Sequence, residues 1–120
     1  MTTRRHTYQA AERFILSREF FGMKLGLDNI TEFLAEIGSP QSKYETIHIA
    51  GTNGKGSTVV MLTSMLRAAG YSVGQFTSPH LVSFCERVHV DGEMIPKRSI
   101  MSFVDRHRKI LVKKNSRSLN

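Results

Sequence analysis

Residues 51–58 read Gly-Thr-Asn-Gly-Lys-Gly-Ser-Thr and put three glycines, one lysine and three hydroxyls into eight positions. Glycine leaves backbone amides bare, so an anion can approach them closely. The first amides of a following helix have no acceptor inside that helix, and the helix dipole favours negative charge there. Lys55 adds a full positive charge, while Thr52, Ser57 and Thr58 bring hydroxyls that suit phosphate oxygens or a metal ion. The chemistry is that of a polyphosphate cradle. The spacing departs from the standard G-x-x-x-x-G-K-[ST] loop: Gly51 stands three positions before Gly54, and Gly56 follows Lys55. The plain alternative is a glycine-rich turn that only joins two elements. Ser57 and Thr58 would then serve as caps of the helix.

A cradle of this kind needs a strand before it and a helix after it. "TIHIA" (46–50) is short and β-branched and reads as a buried strand, with His48 alternating with Ile47 and Ile49 and expected to be packed and hydrogen-bonded. "STVVMLTSMLRAAG" runs at helical spacing over 57–69 through Val60, Met61, Leu62, Met65, Leu66 and Ala69, and Gly70 stops it. "YSVGQF" (71–76) is the next strand. Strand, loop, helix and strand predict a βαβ unit with a right-handed crossover between parallel strands, hence an α/β fold built on a partial P-loop-type parallel sheet.

Two helices precede this unit. The first carries Tyr8, Ala11, Phe14, Ile15 and Phe21 and ends near Gly22. "DNITEFLAEIG" is the second, with Asp28 or Asn29 as its cap and Ile30, Phe33, Leu34 and Ile37 as its stripe. Gly38 is its stop, and Pro40 forbids continuation. After "TSPH" (77–80), the alternation of "ERVHVDGEMIP" and the Asp91-Gly92 pair predict extended structure or a short hairpin. From Lys97, a helix presents Ile100, Phe103, Val104, His107, Ile110 and Leu111 on one face. The organisation is one domain: helices in 1–45, the cradle unit and extended segment in 46–96, a basic helix in 97–114 and a patternless tail in 115–120.

The net charge of +7 over 120 residues invites a nucleic-acid reading. Its distribution argues against one. Residues 1–96 hold nine Lys/Arg and nine Asp/Glu, so the whole excess falls in the segment after them. A solvated or partner-facing helix explains it, and a polyanion site is the competing reading. Cys85 is the sole cysteine, which excludes an internal disulfide and fits a reducing, cytoplasmic setting. No signal-peptide core is present, and no run approaches the ~18 apolar residues of a membrane helix.

"GTNGKGS" resembles the ATP loop of the Mur-type ligases, and its Lys-Gly-Ser ending resembles their folate branch. Further matches stand in order: "LGLDNI" (25–30), "IHIAGTNGKGST" (47–58), "AAGYSVGQFTSPHL" (68–81) and "ERVHVDGE" (86–93). Their order and spacing resemble folylpolyglutamate synthase, often bifunctional with dihydrofolate synthase, over roughly residues 18–112.

The resemblance implies an ATP-dependent, ADP-forming ligase. ATP phosphorylates the carboxylate of a folate or of dihydropteroate, and the amine of L-glutamate displaces phosphate from the acyl phosphate. It implies Lys55 on the β/γ-phosphates, with Thr52, Asn53, Gly54, Gly56, Ser57 and Thr58 around them. It implies Ser78 as a Mg²⁺ ligand, and Leu25, Gly26 and Leu27 in a loop near the pterin, where a helix-connecting turn is the alternative. No role is assigned to His80, Arg87 is expected to pair with a nearby acid, and no reactive thiol is read at Cys85. Family members are expected to be monomers and more than three times longer. The resemblance therefore implies an incomplete ATP-binding domain without the glutamate-binding domain. Apolar helix faces are expected to lack partners, with aggregation and no ligase turnover in isolation. A free-standing nucleotide-binding module and a polyanion binder are the competing functions.

Overall fold

The computed structural model describes the backbone of residues 7–21 and 28–118, and side chains within 7–18 and 28–112. Leu25, Gly26 and Leu27, and the expected stop at Gly22, lie outside the described residues. Among the described residues there are four α-helices and three short strands: α1 (Tyr8–Phe21), α2 (Asp28–Glu36), α3 (Lys55–Ala68), β1 (Gly74–Phe76), β2 (Val88–Val90), β3 (Glu93–Met94) and α4 (Lys97–Ser118). The chain divides into two compact parts. One is Ile47–Ser99; the other combines the residues before Ile47 with those from Ile100 onward.

In the second of these parts, α1, α2 and α4 supply the apolar core: Ala11, Phe14, Phe33, Ile100 and Val104 are buried, Val104 completely. The face expected on the last helix is therefore used at Ile100 and Val104, whereas Phe103 stays largely open. His107 sits edge-on to Phe33, with ring centroids 5.9 Å apart, and also packs on Phe103 at 4.7 Å. Phe14 holds two guanidinium groups near its ring, Arg18 at 4.5 Å and Arg108 at 4.4 Å from the centroid. Part of the basic charge of α4 is thus committed to an aromatic ring through cation–π attraction. The glycine stop of α2 holds: Gly38 has φ +95°, Ser39 N–H donates to Leu34 C=O at 2.7 Å, and Gly38 N–H donates to Ala35 C=O at 3.2 Å. That bond pair is the Schellman closure that satisfies the last carbonyls of a helix.

The Ile47–Ser99 part departs from expectation in its sheet. Its ladders are antiparallel in the order β1-β2-β3, with Gly74 opposite Val90, Phe76 opposite Val88, and His89 opposite Met94. Residues 46–50 carry no ladder among the described residues; Ile47 is 61% exposed, and His48 is exposed rather than packed. The parallel βαβ pairing is accordingly not seen. A β-branched run states a preference for extended backbone, but a strand exists only when a second strand lies ~4.8 Å away to complete the ladder. β1 instead takes its partner from β2, which follows it closely in sequence.

The Asp91-Gly92 turn is as expected. Both residues have positive φ (+50° and +84°), and two residues join β2 to β3, the geometry of a type I′ hairpin. Asp91 also ties the hairpin to the chain entering β1: its carboxylate accepts from Val73 N–H at 2.7 Å and from Ser72 Oγ at 3.0 Å. Gly92 is favoured by its φ, whereas a Cβ there would meet only the flexible end of the Arg67 side chain, which can move aside.

Candidate functional site

The cradle loop enters α3 two residues earlier than the periodicity predicts. Gly54 is the N-cap, in left-handed conformation (φ +75°, ψ 7°), and no side chain caps the helix. Lys55, Gly56 and Ser57 are therefore the first three helical residues, and the first closing bond is Thr58 N–H to Gly54 C=O at 3.0 Å. The amides of 55–57 precede any intrahelical acceptor and point out of the N-terminus. This removes the capping alternative for Ser57 and Thr58: a cap must stand before the first helical residue, and both stand after it.

Thr58 Oγ1 donates to Gly54 C=O at 2.8 Å. Its proton is committed to the backbone, so the oxygen retains only lone pairs. In this rotamer Thr58 offers a cation its lone pairs, and rotation of the hydroxyl would free its proton for a phosphate oxygen. The Lys55 side chain lies back along the loop, its Cγ 3.8 Å from the place a Cβ on Gly51 would take. A Cβ on Gly54 or Gly56 would meet nothing within 4 Å. Residues 51–58, including Thr52 and Asn53, are all exposed. The result is an open, amide-rich, singly cationic helix N-terminus, the kind of feature that favours a polyanionic phosphate chain.

Ser78 is exposed and follows β1 by two residues, joined to Pro79 by a cis peptide bond. It belongs to the same compact part as the loop 51–58. Among the described residues no group of three or more His, Cys, Asp or Glu is placed to hold a metal ion. The Ser78 hydroxyl is an oxygen donor of the hard kind Mg²⁺ takes, and that ion keeps several waters and binds substrate phosphates rather than needing an all-protein cage.

The stretch after Ser78 contains a group that sequence reading passed over. Arg87 Nε donates to His80 Nδ1 at 2.8 Å, so His80, and not only an acid, is its partner. Glu86 accepts from three consecutive backbone amides, Leu81 at 3.2 Å, Val82 at 2.8 Å and Ser83 at 2.6 Å. Those bonds, Ser83 and Val82 foremost, hold its carboxyl below the usual value. Asp91 is likewise lowered, first by the Val73 amide and then by the Ser72 hydroxyl. The signal for Glu86 was readable: Ser83-Phe84-Cys85-Glu86 has the capping-box spacing, and both reciprocal bonds form around the 3₁₀ turn Phe84–Arg87. Cys85 is buried on that turn, in keeping with an inert thiol.

No protein-family model matches the chain. Individual relatives do. The chain is 49% identical over 85 residues to the dihydrofolate synthase/folylpolyglutamate synthase of Bacillus subtilis, a match covering 71% of this chain and 20% of that protein. Its fold is similar to the crystal structure of folylpolyglutamate synthase from Thermotoga maritima, with TM-score 0.74 and 35% identity over 89% of this chain and 25% of that one. It is also similar to an Escherichia coli structure solved in complex with ADP, without folate substrate, with TM-score 0.62 and 37% identity over 78% of this chain and 22% of that one. The chain thus spans about a fifth of the length of the curated relative it matches. Among the described residues no helix is long and apolar enough to cross a membrane.

Proposed function

The chain belongs to the folylpolyglutamate/dihydrofolate synthase family, and from that membership we propose that it carries the ATP-binding part of an ADP-forming glutamate ligase. The observation that supports this best is the start of α3: a left-handed Gly54, three outward amides on 55–57 and Lys55 folded along the loop. In this reading the amides and Lys55 take the β- and γ-phosphates, and Thr52, Asn53, Gly56, Ser57 and Thr58 complete the cradle. The parallel sheet of a P-loop domain is the wider setting this reading assigns to residues 46–50.

The reaction follows from the charges. A folate or dihydropteroate carboxylate and the ATP triphosphate repel each other, so both must be held while the γ-phosphoryl passes to a carboxylate oxygen. The bond from the β–γ bridging oxygen to the γ-phosphorus breaks and ADP leaves. The amine of L-glutamate then attacks the acyl carbon, the C–O bond to phosphate breaks, and the amine proton is lost to solvent. Lys55 and the 55–57 amides face the oxygens on which negative charge builds, which is where preorganised donors lower a barrier. Ser78 is the side chain to hold Mg²⁺ next to the phosphates, where the ion would neutralise charge on the transferring group.

The test is titration calorimetry of the 120-residue chain with ADP. Lys55→Ala should weaken ADP by at least about tenfold, the scale of one charge-assisted phosphate contact. Unchanged affinity in the variant, or no affinity in the parent chain, would overturn the reading.

A further inference from the structure

We propose that Glu86 and Arg87 are positioning residues that set the 77–83 loop, and with it Ser78, for the metal–nucleotide contact. The inference rests on the assignment of Ser78 under the proposed function and adds what holds that residue in place.

Two adjacent residues of one 3₁₀ turn reach the loop along its whole length. At its start, Thr77 N–H donates to Arg87 C=O at 2.9 Å. In its middle, Arg87 Nε donates to His80 Nδ1 at 2.8 Å. At its end, the Glu86 carboxylate gathers the amides of Leu81, Val82 and Ser83. The Phe84 ring backs the arrangement, with the Arg87 guanidinium 5.0 Å from its centroid and the His80 ring edge-on at 5.8 Å. Ser78 lies inside the bracket.

Burial cannot be what orders this loop. Leu81 is 92% and Val82 85% exposed, so their side chains contribute almost no apolar burial against the entropy of fixing the backbone. The polar bonds remain, and those to an ionised carboxylate are the strong kind. Arg87 settles a further point. An arginine N–H only donates, so His80 Nδ1 must be the acceptor and the ring proton sits on Nε2. His80 therefore presents an N–H donor two residues from Ser78. A loop ordered in advance avoids the ordering cost at the moment the nucleotide binds.

The experiment compares ADP binding to the 120-residue chain in MgCl₂ and in EDTA, for the parent and for Glu86→Gln, with amide hydrogen exchange read at 81–83. The parent should bind ADP more tightly with Mg²⁺ and protect these amides. E86Q should lose about tenfold of the magnesium-dependent gain, the lower end of what outer partners of metal ligands contribute. Its affinity in EDTA should stay unchanged, because the 51–58 cradle makes no bond to Glu86; a variant that merely loosened the fold would lose both. A magnesium gain in E86Q that stays within about twofold of the parent's overturns the proposal. If the parent binds no ADP at all, the functional reading falls instead, and exchange decides the rest: unprotected amides at 81–83 in the parent overturn the clasp. Glu86→Asp, which keeps the charge but shortens the reach, replaces E86Q should the latter lose its helical circular dichroism, and the same two outcomes apply.

Discussion

α3 and α4 invert what their compositions suggest. After Lys55, α3 carries a single charge, Arg67, yet Val60 is 53%, Met61 58% and Met65 62% exposed. α4 carries Lys97, Arg98, Arg106, Arg108 and Lys109 among its described side chains, yet Ile100 and Val104 are buried. The difference lies in where the apolar side chains point and what they meet. In α4 they recur at i, i+4 and the next turn, giving one stripe, and His107 and Arg108 on that helix meet Phe33 of α2 and Phe14 of α1. In α3, Val59 to Leu62 are four consecutive apolar residues. Successive positions lie 100° apart, so they point all round the axis, the pattern of a helix suited to cover on more than one side. Among the described residues that cover is incomplete.

Substitution in α4 breaks the comparison hardest. Val104→Asp places a charge in the one fully buried side-chain position among the described residues and should destabilise by about 3–5 kcal/mol. Urea unfolding should show helical signal lost without a cooperative transition. Next in size is Gly54→Ala at the head of α3. The left-handed φ of +75° costs an L-residue about 1–2 kcal/mol, and since the strain falls on the cradle, calorimetry should show weakened ADP binding before unfolding curves move greatly.

Acid should separate the two compact parts more gently. Glu86 and Asp91, both in Ile47–Ser99, have carboxyls held below their ordinary values by backbone and hydroxyl donors. A folded pKa below the unfolded one stabilises at pH above the unfolded value, and that contribution disappears as pH falls through the folded value. Amide exchange at 73 and 81–83 should therefore quicken below about pH 4, the ordinary carboxylate range, while α4 amides near Val104 respond less. Asp91→Asn should flatten the response at Val73. The smallest effect belongs to Met65→Asp on α3, expected within about 0.5 kcal/mol as for other exposed sites. A loss near that of Val104→Asp would show that α3 is covered after all.

Local rules made much of this molecule legible. Gly38 and Gly70 end their helices by the expected closure, Gly70 with Tyr71 N–H to Leu66 C=O at 3.1 Å. Asp91-Gly92 makes the two-residue turn, and Ile100 and Val104 form the buried face of α4. The helix start after Gly54 was legible to within two residues because its determinants are local: glycines, a lysine and the helical run occupy one stretch of chain. Leu25, Gly26 and Leu27, expected near the pterin, lie outside the described residues.

Tertiary structure alone decided the rest. "TIHIA" and "YSVGQF" share a strand-like pattern, yet only 74–76 joins a ladder, because pairing depends on which other segment arrives beside the strand. Arg87 finds His80 seven residues away, and Glu86 closes on three amides; spacing suggests such contacts, but only folded geometry selects the partner. Backbone conformation and helix ends follow from each residue's own sterics and hydrogen-bonding capacity, which the sequence carries by itself. Ladders, burial and partner choice are properties of two surfaces meeting, and one stretch of sequence holds only one of them.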